Sequence, residues 1–535
     1  TWDPQLIGRV FSAIALETRS RGGTQALTPN IDVCREPRFG RIEESYGEDP
    51  YLVSRFAVAV VRGLQGSGPR IDDEHIAATV KHFAAYGEPL GGINKAPPPG
   101  GKRRLREVYL PSFRAAVIEA GAMSVMASYN EIDGIPSHAN EWLLTDLLRG
   151  EWGFEGYVIS DASGIEDLVL QHRVAGSMSD AGRLALLAGV DLELANPRCF
   201  PALEELVRTG RVPVSVLDQA VRRVLRGKFL LGLFENPYAD PEKAKRVNRS
   251  AEHRALALDA AQKSIVLLKN KKRLLPLSDR RIKRLAVIGP NAATLRVGGY
   301  SIRKPHGVSI LEGIRARVGD SVEVHHAEGC RIHLGSDYWI PEPMTGKRLR
   351  LNDPKQDAAM IEDAVALARR CDVAVVVVGE TPLTCGEFIG HSSTLELVGP
   401  QNELVEAVRA TGTPLVVCLV NGRPLAISGV AEAADALLEC WYPGEQAGIA
   451  VAGVLFGDVN PSGRLPFSFP RSVGHVPAYY NARLPPDARY LLSDATPLFP
   501  FGFGLSYAKF AYSKPRVTPE RIDVDGNAVV RVDVT

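Results

Sequence analysis

The 535-residue chain lacks any apolar run near the ~18 residues that a membrane-spanning helix requires. Its most apolar stretch, Val373-Ala-Val-Val-Val-Val378, is only strand length. It also lacks a charge excess: 63 Lys and Arg against 62 Asp and Glu leave a formal net charge of +1. No global field therefore draws it to nucleic acid or to an anionic membrane surface. Cysteines are few, seven in all, at 34, 199, 330, 371, 385, 418 and 440. An odd number with no close CxxC pair argues against both a disulfide framework and a structural zinc site. Buried thiols fit a reducing compartment, and localisation stays open. There is no internal repeat or low-complexity tract, and no glycine-rich loop opens a helix as a phosphate site requires. Gly289-Pro-Asn291 and Gly298-Gly299 are lone turns.

What is present is an ordinary globular composition, 45% apolar and 23% charged, long enough for two or three domains of ~100–250 residues. Up to about residue 235, short apolar strands alternate with amphipathic helices. The strands are expected at Ala26–Asp32, Ile76–His82, Ala122–Ser128, Gly156–Asp161 and Ala188–Glu193. The helices are expected at Pro50–Leu64, Leu105–Ala120, Ala139–Trp152 and Asp180–Leu187. Such alternation predicts a mainly parallel sheet. Residues 236–260 read as a linker with a charged helix. A second α/β unit, 261–470, follows, with strands at Leu285–Ile288, Ser321–His325, Val373–Val378, Leu415–Val420 and Ala436–Cys440, the pattern of an open doubly wound sheet. From about Pro470 the aromatic, proline- and glycine-rich segment Thr496-Pro-Leu-Phe-Pro-Phe-Gly-Phe-Gly-Leu-Ser-Tyr507 and the alternating end of the chain read as a linker and the opening of a β-sandwich over 471–535. The opening Thr1-Trp-Asp-Pro4 and the final Val532-Asp-Val-Thr535 each fall inside an element, so the chain reads as a fragment of a longer protein.

Polar residues mark the ends of the first unit's strands: Asp32, Lys81-His82, Asn130, Asp161 and Glu193. Burying a carboxylate costs several kcal/mol unless it is paired. A lone strand-end Asp161 reads equally as a helix N-cap or as a functional group. Five polar strand ends in one unit favour a convergent site, and in a (β/α)₈ barrel the active site lies at that face. Lys81 and His82 can both face it only if the strand bends or bulges, because neighbouring residues alternate in direction. The loop Cys34-Arg-Glu-Pro-Arg38-Phe-Gly-Arg41 through Glu44-Ser-Tyr-Gly-Glu48-Asp-Pro50 carries charges of both signs, suited to fixing hydroxyls and orienting carboxylates. Lys102-Arg-Arg-Leu-Arg106 reads as a solvated helix start.

Thr28-Pro-Asn-Ile-Asp32, Arg35-Glu-Pro-Arg-Phe-Gly-Arg41, Glu44-Ser-Tyr-Gly-Glu-Asp-Pro50, Lys81-His-Phe83, Met126-Ala-Ser-Tyr-Asn130, Ser160-Asp161 and Ala188-Gly-Val-Asp191 occur in this order. Ser264-Ile-Val-Leu-Leu-Lys-Asn270, Asn421-Gly-Arg-Pro424, Pro443-Gly-Glu445, Asn460-Pro-Ser-Gly463 and Pro497-Leu-Phe-Pro-Phe-Gly502 follow. On these motifs nearly the whole chain resembles glycoside hydrolase family 3, the β-glucosidases and β-xylosidases. The resemblance implies a (β/α)₈ (TIM) barrel over 1–235, incomplete at its N-terminus, then an α/β sandwich and the start of a fibronectin III-like domain. It implies a retaining mechanism without metal or organic cofactor. Asp161 is the implied nucleophile. Arg41, Lys81 and His82 would hold the sugar next to the cleaved bond, with Met126 and Tyr129 lining the same pocket. A further sugar-gripping Asp is expected upstream of Thr1. Two departures stand out: Ala162 follows the nucleophile where many members have Trp or Tyr, and Gly91-Gly-Ile93 stands where many have Gly-Gly-Arg.

The implied acid/base comes from the second unit's loop Gly379-Glu-Thr-Pro-Leu-Thr-Cys-Gly-Glu387-Phe-Ile-Gly-His-Ser-Ser-Thr-Leu-Glu-Leu397. Glu380, Glu387 and Glu396 compete for the role, and the family pattern favours Glu387, with His391-Ser392 standing where an Asp-Arg or Ser-Arg pair is expected. The expected function is an exo-acting β-glucosidase, its partner a β-linked oligosaccharide or glycoside. A β-xylosidase and a sugar-binding protein of weak turnover are the alternatives, and a homodimer is compatible with either.

Overall fold

The computed structural model describes residues 1–68, 70–301, 305–335, 349–388, 390–485 and 487–535. In the first unit, Asp3 and Asp49 accept the N–H groups of Leu6 and Leu52 and so cap the helices Pro4–Ser20 and Pro50–Gln65, each with a proline in its first turn. Val53, Ala57, Val60, Val61 and Leu64 recur at helical spacing and are all buried. They form part of one core with the strands β1 (Gln25–Ala26), β2 (Ala77–Phe83), β3 (Ser124–Ala127) and β4 (Tyr157–Ile159).

These strands pair in parallel in the order β1-β2-β3-β4. Being covered on both faces, they read as apolar runs rather than as alternation. Two expected strands contract: Ala26–Asp32 becomes β1 plus a bridge from Asn30 to Lys81, and Ala188–Glu193 becomes a bridge from Leu192 to Ile159. The segment expected to be helical from Leu105 is wound as a π-turn over Leu105–Tyr109 before the α-helix Leu110–Ile118. Pro111 lacks the N–H that regular α winding needs there. Because all four strands run the same way, their C-terminal ends share one edge, and that edge carries Lys81, His82 and Asp161.

The linker holds two helices, Pro241–Val247 and Ala251–Ser264. The second runs directly into a six-stranded sheet. Its strands are β5 (Val266–Asn270), β6 (Arg284–Ile288), β7 (Glu323–Ala327), β8 (Val373–Gly379), β9 (Leu415–Val420) and β10 (Ala436–Glu439), in the order β5-β10-β9-β8-β6-β7. All neighbours are parallel except β5 against β10. The sequence pattern shows five of the six. β5 follows its helix with no turn residue between them, so periodicity gives it no boundary.

Past Pro470 the arrangement differs from the separate sandwich expected to open there. Phe499 bridges to Phe469, Leu505 bridges to Leu267, and the Tyr507 hydroxyl donates to the Val454 carbonyl at 2.7 Å. The aromatic run folds back on the second sheet, where Phe499 packs edge-on against Phe469 and Phe503 packs on Phe499. Beyond it, β11 (Arg516–Thr518) and β12 (Val529–Arg531) form an exposed antiparallel ribbon. All seven cysteines are buried free thiols. Among the described residues no helix is long and apolar enough to cross a membrane.

Candidate active site

The strand ends assemble a dense polar cluster. The pairing register of β2 shifts between Val80 and Phe83, the irregularity needed for Lys81 and His82 to serve one site. His82 is fully buried, and its Nδ1 lies 2.8 Å from Oδ2 of Asp32. Its Nε2 lies 2.9 Å from Nη2 of Arg41. A guanidinium can only donate, so Nε2 accepts and the ring's proton sits on Nδ1, donated to Asp32. Burial, reinforced by the charges of Arg41 and Lys81, holds His82 well below its ordinary pKa, which keeps it neutral.

This tautomer has a consequence for Asp161. Its Oδ2 is 3.5 Å from Nε2 of His82, yet that nitrogen carries no proton to give. Among the described residues Oδ2 has no hydrogen-bond partner, while Oδ1 accepts the N–H of Ala162 at 2.7 Å. One oxygen is tethered and the other keeps its lone pairs, as an attacking carboxylate requires. Burial raises the pKa of Asp161; Arg41, Lys81 and the Ala162 N–H oppose it. Behind the chain, the Asp161 N–H donates to Nε2 of buried His138 at 3.1 Å. A side chain on Gly164 would overlap the His138 ring. Tyr129 donates to the Ala162 carbonyl at 2.8 Å, and buried Met126 lies in register with Ile159, two residues before the nucleophile candidate.

Arg41 links the two units. It is 2% exposed. Its Nε and Nη2 donate to the carboxylate of Glu44 at 2.7 and 3.0 Å, and its Nη1 donates to Oε1 of Glu387 at 3.0 Å. Burial pushes the Glu44 carboxyl up, but Arg41 and Lys81 outweigh it and leave the group below its ordinary value. Tyr300 donates to the other oxygen of Glu387.

The loop that carries Glu387 is docked by backbone contact. A side chain on Gly40 would overlap the carbonyl of Gly386, so only glycine fits there. The Gly40 N–H donates to Nδ1 of His391 at 3.0 Å, the Ser392 N–H donates to the Arg38 carbonyl at 3.0 Å, and the His391 ring stacks on Phe39. Buried Arg423 donates to Oε1 of Glu380 at 2.7 Å and to the carbonyls of Pro37, Arg38, Thr384 and Gly390. The three competing glutamates thus separate. Glu380 is consumed in that ion pair, Glu396 is exposed and bonds its neighbour's N–H at Leu395, and Glu387 meets Arg41.

Residues 1–227 match the model described as "Glycosyl hydrolase family 3 N terminal domain", and residues 265–507 match the "Glycosyl hydrolase family 3 C-terminal domain". The chain belongs to glycosyl hydrolase family 3. It is 44% identical to a β-xylosidase of Formosa agariphila over 100% of this chain and 74% of that protein. It is 38% identical to a periplasmic β-glucosidase of Salmonella typhimurium over 99% and 70%. Its fold matches the structure of a β-glucosidase from Erythrobacter marinus with a TM-score of 0.95 at 44% identity, covering 99% of this chain and 72% of that one.

For a family 3 hydrolase the sequence-read residues divide cleanly in space. Arg41, Lys81, His82, Met126, Tyr129, Asp161 and Glu387 gather at one edge. Glu193 does not join them: it accepts the N–H groups of Arg198, Cys199 and Phe200 and closes a turn. Three further residues border the site, of which Tyr86 and Tyr300 lie outside the quoted motifs and Glu44 heads one of them. Tyr86 lies 3.5 Å from Arg41 Nη1, Glu44 anchors the same guanidinium, and Tyr300 reaches in from a turn of the second unit. Among the described residues no cluster of three His, Cys, Asp or Glu side chains is arranged to hold a metal ion.

Proposed function

We propose that this family 3 glycoside hydrolase is a retaining, exo-acting β-glycosidase that releases terminal β-D-glucose by double displacement. In this reading Asp161 is the nucleophile and Glu387 the acid/base, with Arg41, Lys81, His82, Met126 and Tyr129 around the sugar. The observation that carries it is the gathering of two unlike carboxylates around Arg41, which bonds one and whose charge acts on the other. Asp161 presents an unpartnered oxygen, and Glu387 reaches the same cluster from the other unit. Asp161 Oδ2 attacks the anomeric carbon while Glu387 protonates the leaving oxygen. Glu387 then takes a proton from water, which attacks the glycosyl-enzyme and frees Asp161. Lys81, whose charge acts on Asp161, helps keep the nucleophile ionised.

The finer fold belongs to the same reading. The parallel sheet of the first unit is part of a (β/α)₈-type barrel, the six-stranded unit is an α/β sandwich, and the β11–β12 ribbon begins a fibronectin III-like domain. A β-xylosidase is the second reading, favoured by the name of the Formosa relative. It differs in the pocket for the sugar's hydroxymethyl group.

A panel of aryl β-glycosides decides glucose against xylose, and a proton NMR time course showing an inverted first product would exclude double displacement. Azide is expected to restore turnover to Glu387→Ala on a substrate with a good leaving group. Rescue of Glu380→Ala in its place would move the acid/base to residue 380.

A further inference from the structure

The two oxygens of Glu387 meet groups of different kinds. Oε1 accepts from Arg41, a buried guanidinium fixed by Glu44. Oε2 accepts from the phenol of Tyr300, a residue 56% exposed. A proton on Oε1 would face an immobile cation, so the proton destined for a leaving group rides on Oε2. The leaving oxygen must then come where the Tyr300 oxygen stands. Taking Glu387 as the acid/base, we infer that Tyr300 is a positioning residue that competes with the leaving-group oxygen for Oε2 of Glu387, and that substrate binding exchanges one for the other.

The turn that carries Tyr300 is built for such an exchange. Gly298 and Gly299 precede it. The Gly299 N–H donates at 2.9 Å to Oε1 of Glu43, a residue of the first unit. A side chain on Gly299 would come within 2.6 Å of that same oxygen. A side chain there would push the Glu43 carboxylate aside, and the ring the turn carries lies 5.7 Å from the Lys81 ammonium. A phenol serves both states of Glu387: it donates to the carboxylate, and its oxygen accepts from the acid. The other groups that act on Glu387 or bond its loop are Arg41, Asp161, Tyr86, Tyr129 and His391. Each is less exposed than Tyr300, so Tyr300 is the member of the set that can move aside.

The test uses the pH dependence of phenyl β-D-glucoside hydrolysis, because this poor leaving group keeps the first, acid-assisted step rate-limiting. The profile of kcat/KM reports the free enzyme, and that of kcat reports the complex. In Tyr300→Phe the alkaline limb of kcat/KM is expected to move to higher pH by about half a unit to one unit, because a donor to the carboxylate is lost. The alkaline limb of kcat is expected to stay, because Tyr300 has already left Oε2 in the complex. Gly299→Ala, which displaces the Glu43 carboxylate that anchors the turn, is expected to show the same split. Equal movement of both limbs, or lower rates with neither limb moved, overturns the exchange. Azide on Glu387→Ala tests the underlying assignment separately. No rescue removes the acid/base role itself, whereas rescue without the split removes only the exchange.

Discussion

The two carboxylates of the site are held in opposite ways. Asp161 ends a buried strand, with its N–H on His138, one oxygen on Ala162, and the His82–Asp32 pair beside it. Every part of that setting lies in the first unit. Glu387 sits on a loop whose position comes from contacts across the seam between units: Gly40 under Gly386, Arg423 across to the carbonyls of Pro37 and Arg38, and Arg41 on the carboxylate itself. The proposed nucleophile is placed by its own core, and its proposed partner by docking. A group that must attack one carbon suits rigid placement. A group that gives a proton and takes it back suits a loop whose hydrogen bonds can change.

That contrast can be broken in stages. The largest effect is expected from Asp161→Asn, which keeps the shape and removes the charge proposed to attack. Turnover should fall by at least ~10³-fold with the melting temperature nearly unchanged. A loss below tenfold would show that Asp161 is structural.

Arg423→Ala strikes the other side. It strands Glu380 as a buried unpaired carboxylate and should cost about 3–5 kcal/mol in urea unfolding. Activity should fall further than the folded fraction does. Equal loss of both would mean that docking does not place Glu387.

Gly40→Ala sharpens the point without touching a charge. Overpacking at the seam should cost about 1–3 kcal/mol and lower kcat/KM about 10–100-fold. Gly101→Ala, where a side chain would meet no atom within 4 Å, serves as the silent control.

The smallest effect lies in pH-dependent stability. Burial, opposed by the His82 N–H and Arg41, pushes the Asp32 carboxyl from 3.8 to about 7. A raised carboxyl means that the folded chain keeps a proton after the unfolded chain has lost it. The stabilisation is complete below the unfolded value of 3.8 and is lost as pH rises through about 7. Asp32→Asn should flatten that part of the stability curve. An unchanged slope between about pH 4 and 7 would mean that Asp32 is already ionised in the folded protein.

The side of the site built by the core was the more legible one in the sequence. Asp161 and Lys81-His82 stand out because polar residues at the end of an apolar strand are costly unless they serve a purpose. The register shift in β2 supplies what periodicity alone could not, a way for two adjacent side chains to serve one pocket. The docked side was legible only through motif resemblance. Arg423 lies in Asn421-Gly-Arg-Pro424, a string that looks like any turn, and its role exists only when residues 37, 38, 384 and 390 come together. Gly298-Gly299 reads as a lone turn, and nothing local announces that Glu43 will meet Gly299 and Glu387 the neighbouring Tyr300. Glycines at a backbone contact also carry no side chain whose pattern could betray them. The aromatic run near residue 500 misled in the other direction: its composition suits a new sandwich, but its rings complete the second unit.

The glycine seam at residue 40 has a consequence for how this enzyme can be recombined. Two units that each fold around a separate core look like interchangeable modules, and exchanging them between relatives would be an obvious route to new specificities. Here the joint tolerates no added atom at Gly40, and across it the Arg423 guanidinium reads the main-chain carbonyls of Pro37 and Arg38. Those partners are set by loop length and backbone path. A hybrid would keep both halves of the chemistry and lose their alignment unless the 34–49 loop and the 379–397 loop were inherited together. The natural unit of inheritance is therefore the pair of loops, which cuts across both domains.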